Sequence, residues 1–400
     1  MLIKTVTHTR FMLGFLSAIL AAGSAFGADL ESSPSWKERV AQLSTPGPGD
    51  IVLTAVGDAI WTHKISGSTD ERLQSMFNVM RESDIAFLNF EQVLADHGFP
   101  TLKEIVKADP SIIDEFVWAG VDIVSIANNH MMDFGPSGLA TTQKTLDDHG
   151  IKHSGAGTDL AQALRPAIIE RKGLKIGLVS VMVAADFTSL GTPAREHAPG
   201  VAPIDGTEVR LADGSPAIAP SHVDLHHMEE AIRNAKKVAD LVAVSFHIHW
   251  GELEHIDPDG KQLIARAAVD AGADMVLGHG PHVINGIEFY KDKPIFYSMG
   301  NFAFQPPLSA YEYFPDSLKL IKGILSNERV FEGMMVRMTL SSRGEIRRLE
   351  VLPLAITQEG DPYFVTGEKG NGILKRLENL SEPFGTSIKR ESWFAVVDLP

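Results

Sequence analysis

Apolar positions along this chain switch between two spacings. Residues 51–58, IVLTAVGD, form an apolar run that ends in Gly-Asp. Residues 70–84 place Leu73, Met76, Phe77 and Met80 at helical spacing. Strand-like runs recur at 85–94, 121–130, 151–157, 174–182, 241–251, 273–282 and 293–304. Between them lie helical patterns at 114–120, 136–150, 226–240 and 260–272, several with Pro near the start or Gly at the end. This alternation predicts an α/β layered domain. Farther on, residues 331–356 predict a hairpin turning at 341–344, followed by a helix at 371–385 and a strand at 391–399.

Three stretches break the rhythm. Residues 1–27 carry Lys4 and Arg10, a short apolar run from Phe11 to Ala22, and small residues at Ala25 and Gly27. That order reads as a cleaved secretory signal peptide, with an uncleaved anchor as the alternative. Residues 28–49 are polar, rich in Pro and Gly, and read as a lead-in with one helical turn at 36–43; residues 50–400 read as one domain. Residues 184–223 are rich in Pro, Gly, Ala and His, with a hairpin expected near 211–218. A loop of this length is expected to be a lid over the site, with a solvated surface insertion as the alternative.

The 400 residues are 44% hydrophobic, enough for a large core, and the formal charge of −15 becomes about −17 once Lys4 and Arg10 are removed. Such a surface repels nucleic acid and anionic membranes. An anionic substrate needs local positive charge, which a divalent cation supplies. Cysteine is absent, which excludes disulfides, thiolate chemistry and a lipoprotein signal. Any metal must therefore be held by His, Asp, Glu or Asn.

Such groups gather at strand ends, where α/β sheets build their sites. They are Asp58; Asn89 and Glu91; Asn128, Asn129 and His130; His247 and His249; and His279 and His282. Any one has a plain structural explanation, a turn or a helix cap. Together they match the mixed imidazole and oxygen shell of one or two borderline divalent ions: zinc, manganese or iron. Asp133 stands three residues after His130, placed to hold the imidazole's orientation. His63 and His255 lie near these motifs as weaker candidates.

The stretches VGDAIWTHKI, LNFEQVLAD, IVSIANNHMMDFGPSGLATTQKTLDDHGIKHSGAG, FHIHWGE and VLGHGPHVINGIEFYKDKPIFYSMGNFAFQ resemble the CapA family of poly-γ-glutamate capsule biosynthesis proteins. The resemblance implies a four-layer α/β/β/α metallophosphoesterase-like sandwich with a divalent metal site. By that likeness Asp58 holds a first metal, Glu91 bridges, and Asn129 holds a second. His247 or His249, with His279 and His282, completes the shell, and His130 is the proton donor. The chain departs from the phosphoesterase pattern at Ile60, where a histidine is usual, at Glu91 in place of an aspartate, and in GHGPH, which is one residue longer than usual.

Two functions follow as expectations. One is a periplasmic or secreted metal-dependent hydrolase, with His130 and Asp133 as its catalytic pair and Asn89, Asn128 and Arg195 meeting the substrate. That substrate would be a phosphoester or amide of a small anion or an anionic polymer. The other is a non-catalytic accessory protein that guides an anionic capsule polymer beside membrane-bound synthesis or export machinery.

Overall fold

Strands that are apolar on both faces need cover on both sides, and here each sheet has it. The computed structural model describes residues 34–96, 100, 106–184, 191–212, 214, 216–248, 254, 256, 258–306 and 322–400, without the side chains of residues 216, 258 and 259. The signal-peptide segment, His249 and His255 lie outside these residues.

The first sheet runs parallel through Ile51–Ile60, Ile85–Phe90, Ile123–Ser125 and Lys152–Ser154. The Glu332–Leu340 and Ile346–Ile356 hairpin adds to it antiparallel, alongside Ile51–Ile60. The second sheet runs parallel through Leu174–Ala184, Leu241–Ile248, Met275–His279 and Lys293–Phe296. Leu53, Ala55, Ile85 and Phe87 of the first sheet meet Leu178, Ala243, Met275 and Leu277 of the second in one buried cluster. The alternate residues face outward. Val56, Leu88 and Phe90 pack on the Glu71–Arg81 and Ile113–Ala119 helices, and Val179, Val244 and Phe246 pack on His222–Ala235 and Leu263–Asp270. The result is a helix, sheet, sheet, helix sandwich.

Local chemistry sets the helix ends. Asp70 caps Glu71–Arg81 by accepting from the Arg72 amide, and Gly120 closes Ile113–Ala119 at φ 80. From Trp36 the lead-in packs on the body: Trp36 stacks on Phe364 at 5.8 Å and meets Trp393 edge-on at 5.5 Å.

Two expectations need correction. Residues 293–304 are not one strand: Lys293–Phe296 belongs to the second sheet and Asn301–Phe304 to the first. The chain crosses between sheets at 297–300, where Gly300 takes φ 71. Within 184–223, Pro203–Arg210 and Pro216–Pro220 pair as a hairpin, and Pro203–Arg210 also runs parallel to Leu174–Ala184. Ile204 and Ile218 bury into the outer core of the second sheet, so this part extends the sheet and cannot be a lid. Gly200–Val201 likewise pairs with Ala156–Gly157, and Ala194, Val201 and Ala202 are buried; residues 185–190 lie outside the described residues.

One irregularity positions the site. Ala55 pairs with Phe87, but the next partners are Asp58 and Asn89, so Ile51–Ile60 carries one extra residue. This bulge brings Asp58 onto the inner face that Leu53 and Ala55 occupy; strict alternation would have given that place to Gly57. The Asp58 amide donates to the Gly300 carbonyl at 3.0 Å. A Cβ on Gly57 would stand 1.8 Å from that same oxygen. Gly57→Ala should therefore destabilise the protein by about 3 kcal/mol in urea unfolding, the upper range for overpacking. Gly372→Ala, in the Gly367–Ser381 helix with nothing near its added carbon, should stabilise by about 0.5–1 kcal/mol. Equal stability of the Gly57→Ala variant and the wild type would show that the close approach does not set the bulge.

Candidate metal centre

The inward-facing ends of both sheets bring their polar groups to one place. Asp58, Asn89 and Glu91 come from the first sheet, and His247 and His279 from paired positions on the second. All five are fully buried, and His282 nearly so. Donor atoms of Asp58, Glu91 and His247 lie within 4.8 Å of one another. His282 Nε2 is 3.8 Å from Glu91 Oε1, and His279 Nδ1 is 3.9 Å from Asp58 Oδ1. Asn129 Oδ1 is 3.0 Å from His247 Nε2. Six of the seven expected ligands thus converge; the seventh, His249, lies outside the described residues.

A hydrogen-bond frame holds the cluster. Asn89 Nδ2 donates to Asp58 Oδ1 at 2.8 Å and stands 3.1 Å from His247 Nδ1. Asn128 Nδ2 donates to Asn89 Oδ1 and to the Phe90 carbonyl, at 3.2 and 2.8 Å, and Asn128 Oδ1 accepts from the His130 amide. Asn89 and Asn128, expected to meet substrate, are instead fully buried and spend their amides on this frame. Arg195 is exposed on a turn where its backbone pairs with Ala198. His63 pairs with Asp361 at 2.9 Å and is half exposed.

His130 and Asp133 sit beside the cluster. Asp133 Oδ2 is 2.9 Å from His130 Nδ1 and also accepts from the Val106 amide at 2.7 Å. A carboxylate only accepts, so His130 Nδ1 carries a proton. The other ring nitrogen, Nε2, is 3.1 Å from Asn129 Nδ2. Asn129 therefore joins the dyad to the cluster, its nitrogen toward His130 and its oxygen toward His247.

The electrostatics call for a cation. Burial, and then the neighbouring Asp58 carboxylate, push Glu91 up to about 8. Burial pushes His279 down to about 4, so its ring is neutral at pH 7. Among the described residues neither His279 ring nitrogen makes a hydrogen bond. A neutral, fully buried imidazole with an unused lone pair, beside two buried carboxylates, is a ligand set for a divalent ion. The donors, mixed nitrogen and oxygen, fit the borderline metals.

Two features had no sequence assignment. The Gly280 amide donates to Asp58 Oδ2 at 3.0 Å, and Asn301 Oδ1 lies 2.8 Å from His282 Nδ1. The available signal for Asn301 was an amide set in the apolar run after Gly300.

Comparison with known proteins identifies the family. The chain is 31% identical to the PGA biosynthesis protein CapA of Bacillus subtilis over 66% of its length, spanning 63% of that relative. It is 28% identical to the capsule biosynthesis protein CapA of Bacillus anthracis, over 91% of this chain and 79% of the other. It is 29% identical to a probable polyglutamine synthesis accessory protein of Mycobacterium tuberculosis, over 69% and 67%. Residues 49–306, which contain every group of the cluster, match the family described as bacterial capsule synthesis protein PGA_cap. With that match across more than half its length, the chain belongs to the PGA_cap family, that of the CapA proteins.

Proposed function

We propose that this protein is an exported metal-dependent hydrolase that cleaves a phosphoester or amide bond in an anionic substrate, poly-γ-glutamate or another envelope polymer. The observation that supports it most is the joining of the Asp58, Glu91 and His247 cluster to the His130–Asp133 pair through one side chain, Asn129. Asp58, Glu91, Asn129, His247, His279 and His282 would hold one or two divalent ions. A divalent ion there would supply Lewis-acid polarisation and activation of a nucleophile. Asp133 accepts from His130 Nδ1 and would stabilise the doubly protonated ring, whose Nε2–H would be the proton passed to the leaving group. The leader pattern of residues 1–27 supports export; among the described residues no helix is long and apolar enough to cross a membrane.

A second reading has one observation in its favour: the mycobacterial relative bears an accessory name. On that reading the same centre binds and guides an anionic capsule polymer without cleaving it. Purified protein should turn over a generic phosphoester or a γ-glutamyl peptide if the hydrolase reading is right. Metal-loaded protein inert toward both, yet binding poly-γ-glutamate, would favour the accessory role.

Protein purified without chelator should contain zinc, manganese or iron, and His282→Ala and His279→Ala should each lower that content. Unchanged metal in both variants would remove these residues from the site. His130→Ala should keep its metal and lose about 10²–10⁴-fold in turnover, the usual contribution of a general acid. A wild-type rate would leave His130 a structural role, and loss of metal would make it a ligand.

Metal-free protein should also show a pH signature. Folded Glu91 keeps its proton until about pH 8 against an ordinary value of 4.5, so ionisation opposes folding across that window. His279, held at about 4 against 6.5, acts in the opposite sense below pH 6.5. Between pH 6.5 and 8 the Glu91 effect stands alone of the two, and the melting temperature should fall. Glu91→Gln, or a saturating divalent ion, should flatten that fall; the same slope in Glu91→Gln would refute the assignment.

A further inference from the structure

His282 differs from the other imidazoles of the centre. It sits on the loop beyond Met275–His279, with its backbone in the left-handed region at φ 59. A non-glycine residue there pays a conformational cost and needs its surroundings to hold it. Its ring meets Phe304 in an edge-type contact with centroids 5.1 Å apart, and Nδ1 meets Asn301 Oδ1 at 2.8 Å.

The proton positions follow from acceptors alone. Asn301 Nδ2 lies 2.9 Å from the Val330 carbonyl and 3.4 Å from the His282 carbonyl. Both can only accept, so the nitrogen end of the amide must face them. The oxygen end is thereby turned to His282, and an amide oxygen also only accepts. His282 Nδ1 must carry a hydrogen, and in the neutral ring Nε2 is then bare. Nε2 is the nitrogen that stands 3.8 Å from Glu91 Oε1, inside the cluster. Asn301 is itself fixed: it is fully buried and pairs in register with Asp58.

We propose that Asn301 is a positioning residue of the metal centre, holding the proton on His282 Nδ1 and so committing Nε2 to the cation. The inference rests on the metal-site reading above. It also ties the ligand to the Glu328–Phe331 turn, which supplies the Val330 carbonyl. A hydrogen-bond partner of this kind fixes both the tautomer and the orientation of a ligating histidine.

The test uses the full protein with zinc or manganese as the probe, its affinity measured by competition with a chelator. Asn301→Ala should weaken binding by about 10–100-fold, as loss of such a partner does. Equal affinity in Asn301→Ala and wild type would overturn the proposal. Nitrogen-15 shifts of the His282 ring in metal-free wild type give a readout that needs no variant to fold. Hydrogen on Nδ1 supports the proposal, and hydrogen on Nε2 overturns it. Wild type that binds neither ion would sink the metal reading and this role with it. Tight wild-type binding that Asn301→Ala leaves unchanged would sink the role alone.

Discussion

Asp58 and Glu91 are two carboxylates shut away from water in the gap between two sheets. Removing one charge from solvent is costly, and a second beside it is resisted further by repulsion. The surrounding residues answer this in a fixed order. The Gly280 amide and Asn89 donate to Asp58, and Asn128 in turn holds Asn89. Three imidazoles ring the pair at 3.6–3.9 Å. These dipoles and imidazoles soften the repulsion without cancelling it. What remains is a field that would draw a divalent cation; burial first, and then the Asp58 charge, raise the Glu91 carboxyl when no cation is there.

The sandwich makes such a place available. Parallel strands covered on both faces cannot spend polar groups along their length, so polar side chains are left to the strand ends. Here the carboxyl ends of the two sheets open toward each other, and the chain crosses between them once more at 297–300 before delivering Asn301 beside Asp58. Asp58, His247 and His279 thus sit on strands held by packing on either side, which is what a site with narrow geometric tolerance requires. The bulge in Ile51–Ile60 is the one departure from regular pairing that the arrangement needs, because it puts a carboxylate where alternation would have put Gly57.

Most of this was legible because both periodicities are local. Apolar runs ending in Asp, Asn or His mark strand ends without knowledge of the fold, and His247 and His279 could be placed on one edge from that alone. What was not legible is register. Asn89 and Asn128 looked like substrate contacts because a polar group at a strand end is usually exposed; only the stacking of the second sheet shows them buried. Asn301 was passed over because 293–304 reads as one strand, and nothing local reveals that Gly300 turns it from one sheet to the other. A hairpin near 211–218 was legible, but the Pro and Gly content around it hid that the pairing reaches back toward 203 and joins the second sheet, where Ile204 and Ile218 are buried.

The departure at Ile60 has a physical consequence for the centre. A histidine there would have offered a ligand two residues from Asp58. Instead Ile60 is buried with Val106, Phe304 and Ile356 in a small apolar cluster. Phe304 of that cluster backs the ring of His282, while the Val106 amide holds Asp133. The position has thus exchanged one donor for packing that steadies two other groups, one in each half of the site. On the metal-site reading proposed above, with one imidazole fewer near Asp58, more of the burden of holding a cation at that end would fall on His282. That would give a strained backbone and a dedicated amide partner at His282 a reason to be tolerated, since a weakly held ligand could not replace the one that Ile60 displaces.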